Sequence, residues 1–169
     1  MPLSTHASNF TRPETLSLQP SDALLGGSGN PSFLGHRQQH ARFSASTAVR
    51  LPAVAGQTAG LAAFQNEAHY FFLSMRRRGA GLDILLERST GPDHAGGPRT
   101  IAHMDLPAPA PDLVYLKIEG DGRADSFSYA TRPAEWQVLK DSGDGTILST
   151  NVAGGFVGVC LGLFARTEP

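Results

Sequence analysis

The sequence predicts an all-β fold, an antiparallel two-sheet β-sandwich of the jelly-roll kind. Three observations carry this. Apolar residues recur at every second position in several short runs. The runs are separated by clusters of Gly, Pro, Asp and Asn, and the chain holds 19 Gly and 12 Pro, as a fold with many turns needs. No window carries a sustained apolar stripe of helical period. Short, regularly spaced strands of this kind pack as a sandwich.

From Phe43 to Leu51 the odd positions Phe43, Ala45, Val49 and Leu51 are apolar, with Thr47 the exception, while Arg42, Ser44, Ser46 and Arg50 fill even positions. This predicts a strand with one buried and one wet face. Ala59–Phe64 and His69–Met75 read as two strands joined through Gln65, Asn66 and Glu67. Tyr70–Leu73 is apolar on both faces, as a central strand covered on both sides, or one shielding a groove, would be. Leu82, Ile84 and Leu86 alternate with Asp83, Leu85 and Glu87. Ser89–Arg99 reads as a loop, and Pro107, Pro109 and Pro111 punctuate another connection. Val114, Leu116 and Ile118 alternate with Tyr115, Lys117 and Glu119; Asp121-Gly122 predicts a tight turn into a return strand with Phe127 and Tyr129. Trp136 and Val138 make a short strand, and Asp144-Gly145 marks a turn. In the last run, Phe156–Phe164, Val157, Val159, Leu161 and Leu163 share one face. Gly158 and Gly162 on the other face predict close approach by a neighbour.

The 169 residues suffice for one domain with a real core and leave little room for a second. A net charge of −1 excludes the electrostatic footprint of a nucleic-acid or anionic-membrane partner. The basic run Arg76-Arg77-Arg78 reads as a solvated turn before Gly79. The single cysteine, Cys160, excludes an intrachain disulfide and a thiolate cluster, and its apolar setting predicts a buried inert thiol. Met1–Ser8 lacks the charged and apolar regions of a secretory signal, and no apolar stretch is long enough to span a bilayer. A soluble chain is expected, its compartment cytoplasmic or undetermined.

Enzyme motifs are absent: there is no nucleophile elbow, no phosphate loop with its lysine and no His-Glu-x-x-His, so no catalytic residue and no cofactor are expected. His36 and His40 have the spacing of helical metal ligands but stand at the head of a strand, where His36, Gln38 and His40 would share a face. A polar cluster is favoured there over a metal site. Asp141 and Asp144 lack the alternating oxygens of a calcium loop, and a turn is favoured. The carboxylates are scattered, with no pair in an apolar setting that would raise a pKa. Tyr70, Tyr115, Tyr129, Trp136 and Phe156 can stack on sugar rings, although strand aromatics are more often core. Phe156 differs, because Gly154 and Gly155 precede it and place it at a loop tip.

Four segments carry a family resemblance. They are Gly29–His40 (GNPSFLGHRQQH), Ala59–Tyr70 (AGLAAFQNEAHY), Val114–Gly120 (VYLKIEG) with Phe127, Tyr129 and Trp136 following, and Gly154–Leu163 (GGFVGVCLGL). Together they resemble the C-terminal concanavalin-like β-sandwich of glycoside hydrolase family 43 β-xylosidases and α-L-arabinofuranosidases over nearly the whole chain. In that family a five-bladed β-propeller performs inverting hydrolysis with two carboxylates, and none of the propeller is present here. The resemblance implies an accessory domain that packs on a propeller, in cis or in trans, acting on xylo- or arabino-oligosaccharides. It implies that Phe156, with Gly155, lies at the rim of the partner's pocket, and that His36, Arg37, Gln38, Gln39 and His40 form a polar cluster at the domain junction. Residues 1–12 are expected to form an N-terminal extension and 13–169 a single sandwich. The family has Arg in place of His36. Its pattern also continues with one more aromatic-rich strand, so a free sheet edge is expected unless another segment fills it or the chain is a piece of a longer protein. The alternative is a free-standing carbohydrate-binding module, with Tyr70, Tyr115 and Trp136 as sugar-stacking candidates; a gene remnant is a third.

Overall fold

A computed structural model describes residues 15–91, 97–155 and 158–168. The stretch 1–12 and the side chain of Phe156 lie outside the described residues. Among the described residues, ten strands form two antiparallel sheets. The larger has the order β1 (Ser32–Arg37), β10 (Cys160–Thr167), β3 (Gln57–Asn66), β4 (His69–Arg78), β5 (Gly81–Thr90), β6 (Arg99–Leu106). The smaller has the order β2 (Phe43–Arg50), β7 (Leu113–Gly120), β8 (Ala124–Ala130), β9 (Gln137–Asp144). A 3-10 turn (Gly145–Leu148) and the four-residue helix α1 (Thr150–Ala153) link β9 to β10. Among the described residues no helix is long and apolar enough to cross a membrane.

Alternation decides which faces meet. Leu61, Phe71, Leu73 and Ile84 from the larger sheet interdigitate with Leu116, Ile118 and Phe127 from the smaller, and Ile147 and Leu148 close one end. Each such side chain contributes about 1.5–3 kcal/mol through its removal from water. The two-faced apolar run of β4 is covered on both sides. Its other face, with Tyr70 and Phe72, packs on Ala62, Phe164 and Leu25. Leu25 belongs to a segment that crosses the outer face of the larger sheet. Ser21 bridges Arg166 there, and Thr167 N donates to Ser21 O at 2.8 Å.

The strand boundaries depart from the sequence reading where polar residues continue the ladder. Gln65 and Asn66 remain in β3 across a bulge, and the connection shrinks to Glu67-Ala68. Arg76–Arg78 end β4 rather than forming a solvated turn. Arg76 and Arg78 both grip Asp83 and Arg77 binds Pro52 O. The region around Ser89–Arg99 holds the end of β5 and the start of β6, an edge strand whose Ala102 and Leu106 pack partly against the core while Arg99, His103 and Asp105 are exposed. Asp141–Asp144 is strand, not turn; the ladder accommodates it with register shifts and with Ser142 at φ 52°. The last strand begins at Cys160, which is half-buried.

The two sheets are unequal in width. β2 packs over β3, β7 over β3 and β4, and β9 over β6. β1 and β10 therefore project past the β2 edge, and their core-side face opens to solvent: Leu34 is 52% exposed and Leu161 and Leu163 are only partly buried.

Candidate functional site

That projection creates a groove of about 890 Å³ between β1 and β10 on one side and β2 on the other. Its floor is Leu34, Leu61, Leu161 and Leu163, and its far wall is Phe43, Ala45 and Thr47. Register explains the floor. Leu34 pairs with Leu163 and His36 with Leu161, so these four share the face that looks toward the smaller sheet. On the opposite face, Gly162 lets β1 approach. A Cβ there would lie 2.6 Å from Gly35 Cα and Leu34 O, the close contact expected from the sequence.

The polar segment His36–His40 forms the rim. The sequence reading placed His36, Gln38 and His40 on one strand face. Instead β1 ends at Arg37 and the chain bends, because Gln38 N donates to Val159 O and Gln38 Nε2 donates to His40 O, both at 2.8 Å. Gln38 thus fastens this segment to the entry of β10. His36, Arg37, Gln39 and His40 are exposed, and Arg42 continues the rim. Among the described residues the lining holds two arginines and two histidines and no carboxylate, so the groove is an apolar trough with a basic border. It can bind; general acid–base hydrolysis needs carboxyls that it lacks.

Gly155 is exposed on a sharp turn. Gly154 ends α1 by donating its N–H to Thr150 O, and Gly154 and Gly155 both have positive φ, 73° and 77°. Asn66 Nδ2 donates to Ala153 O at 2.9 Å and anchors that turn to the β3–β4 hairpin.

The three sugar-stacking candidates are not brought together. Tyr70 is 2% exposed under Gly26, with no ring face open to a ligand; burial pushes its phenol up to about 12. Tyr115 and Trp136 are half-buried on the outward face of the smaller sheet and do not line the groove.

Two features escaped the sequence reading. Asp125 is 2% exposed, its Oδ2 has no hydrogen-bond partner among the described residues, and burial, reinforced by Asp121 and Asp144, raises its pKa to about 6. Alternation could have found it, since Asp125 precedes the core residues Phe127 and Tyr129 by two and four positions. The second is the cluster Asp83, His103 and Asp105, whose potential metal-ligand atoms lie within 4.8 Å of one another. Burial alone would raise the Asp83 pKa, but hydrogen bonds from Arg78 and Arg76 hold it below the usual carboxylate range. A cation would have to displace both guanidinium groups, and the cluster reads as an ion-pair network.

A family model described as the β-xylosidase C-terminal concanavalin A-like domain matches residues 2–168. The chain belongs to this family. A xylosidase/arabinosidase of Butyrivibrio fibrisolvens is 28% identical over 158 residues, which cover 92% of this chain and 29% of that protein. The concanavalin A-like chain also superposes on a GH43_12 protein retrieved from a capybara gut metagenome, with a TM-score of 0.81 and 29% identity over 90% of this chain and 28% of that one. A xylan β-1,4-xylosidase from Bacillus halodurans shares the fold at 20% identity and a TM-score of 0.77, over 92% of this chain and 30% of its own. The chain therefore spans less than a third of the length of these relatives.

Proposed function

We propose that this domain is the non-catalytic accessory sandwich of a family 43 glycoside hydrolase acting on xylo- or arabino-oligosaccharides. It packs on a β-propeller catalytic domain and contributes Phe156 to the rim of the active-site pocket. The observation that carries the reading is the open groove. An apolar floor with Leu34 half exposed, bordered by basic and amide side chains, has the make-up of an interface awaiting its other half. The Gln38–Val159 bond ties the groove's rim to the entry of β10, so docking there would present His36–His40 to the partner.

The test is hydrolysis of nitrophenyl xyloside and nitrophenyl arabinofuranoside by the purified chain, alone and mixed with a family 43 propeller lacking its own sandwich. The expected result is no turnover alone and a gain on mixing. Phe156→Ala should reduce that gain while leaving the melting temperature of the isolated domain nearly unchanged. Turnover by the chain alone, or a large loss of stability in Phe156→Ala, would defeat the proposal.

A further inference from the structure

The outward face of the smaller sheet carries a second surface, which meets the groove only along β2, where Ser46 borders both. Register sets one row across it. Ala48 pairs with Tyr115 and Tyr115 with Ala130, and Trp136, one residue beyond the Tyr129–Gln137 pair, continues the row. Tyr115 and Trp136 are thus two strand spacings apart, about 10 Å, with only an alanine between them. The next row holds Ser46, Lys117, Ser128 and Val138.

The burial of this nominally wet face is unusual. Ala130 is 0% exposed, Ser128 is 4% exposed and the Lys117 side chain is 17% exposed. Lys117 Nζ lies 4.6 Å from the centre of the Trp136 ring. The indole therefore lies over the sheet as an outer layer, with the ammonium against one face. Lys117 is also paired with Glu119 at 2.7 Å, and Glu119 accepts from Ser44 Oγ at 3.3 Å. Charge in the patch is neutralised internally. What remains are two aromatic side chains on backbone positions two strands apart, small residues between them and a border of hydroxyls and charge-paired groups. That surface does not complement an acidic or basic partner and is too interrupted by polar groups for a protein core contact. It fits an uncharged, flat-faced, hydroxylated ligand.

We infer that Tyr115 and Trp136 form a platform for an extended β-1,4-linked pyranose chain. Alternate rings stack on the two aromatics, and ring hydroxyls bond to Ser46, Lys117 and Glu119. The choice of xylose units rests on the proposed family 43 reading; the platform itself does not. It would hold polymeric substrate beside the catalytic partner and raise its local concentration.

Trp136 is the only tryptophan in the chain, so intrinsic emission reports on the platform alone. Titration of the isolated chain with xylohexaose should give a saturable change in that emission, and maltohexaose, whose α-linked chain coils, should not. Tyr115→Ala should weaken binding about tenfold. Ala48→Arg, at an exposed position in the same row, should do so without touching the core. Absence of a saturable response, an equal response to maltohexaose, or retention of the parent affinity in both variants would overturn the inference. The measurement needs no propeller, so a failure to activate a partner leaves it standing, and its failure leaves the accessory role untouched.

Discussion

Asp125→Asn should make the domain's stability less sensitive to pH. The Asp125 carboxyl is raised from the ordinary 3.8 to about 6 by burial first and by Asp121 and Asp144 second. The folded state thus holds a proton that the unfolded chain has released. Between about pH 4 and 6 the native protein binds more protons than the unfolded one, and stability falls as pH rises through that window. A shift of roughly two units corresponds to about 3 kcal/mol, lost in full above the folded pKa. Asn cannot ionise, so the variant escapes this loss. It also leaves an amide short of partners, at a pH-independent cost of about 1–3 kcal/mol. The informative quantity is therefore the difference between variant and parent, which should move in the variant's favour by about 3 kcal/mol from pH 4 to pH 7.5. For a domain of this size that is roughly 6–12 °C in relative Tm. Urea unfolding at a series of pH values measures it. A difference that stays flat with pH would mean that the Asp125 carboxylate is solvated or paired, and the argument from its burial would fail.

Two further perturbations probe the frame that holds the groove open. Gly162→Ala would drive a Cβ against Gly35 Cα, Leu34 O and Phe33 Cε2, and backbone atoms cannot swing aside. A cost of about 1–3 kcal/mol in urea unfolding, with faster amide exchange over Ser32–Arg37, is expected; unchanged exchange would show that β1 is not held by this contact. Arg166→Met removes the 2.7 Å partner of Glu87, both side chains being about 10% exposed, and should cost about 3–5 kcal/mol because it strands a buried carboxylate. Adding Glu87→Met should restore much of that stability, and a double variant no better than the single would locate the loss in packing of Arg166 on Phe72 instead.

What the sequence disclosed follows from which physical signals are local. Val114–Ile118 and Phe43–Leu51 were legible because each has one dry and one wet face, and period two survives that contrast. β6 was not, because its inward row, Ala102, Met104 and Leu106, is short and only partly covered at the sheet edge, so its contrast with His103 and Asp105 is weak. The end of β9 was misread because Asp141, Gly143 and Asp144 have turn chemistry, yet Ser126 Oγ donates to Asp141 and keeps the pair aligned. The cluster His36–His40 was found by its composition, but its shape was not, since the bend depends on a bond to Val159 more than a hundred residues away. Above all, the groove depends on the larger sheet being two strands wider on one side than its partner. No single strand carries that information.

An open apolar trough flanked by β1 and β2, which are edge strands among the described residues, is a candidate aggregation site, and its charged border opposes self-association. Two copies associating through the trough would gather two sets of Arg37 and Arg42 into one interface, with no carboxylate among the described lining residues to neutralise them. Like charges brought together there oppose association. The same border would complement an acidic surface on the proposed partner. The consequence is measurable by light scattering. The parent should remain monomeric in low salt at neutral pH, and the Arg37→Ser/Arg42→Ser double variant, with its apolar floor unchanged, should self-associate. Because the repulsion is screened by ions, the parent should also begin to associate as salt is raised toward 1 M. A double variant as monodisperse as the parent would show that the exposed leucine floor is too small to drive contact. The charged rim would then have no work to do in keeping copies apart.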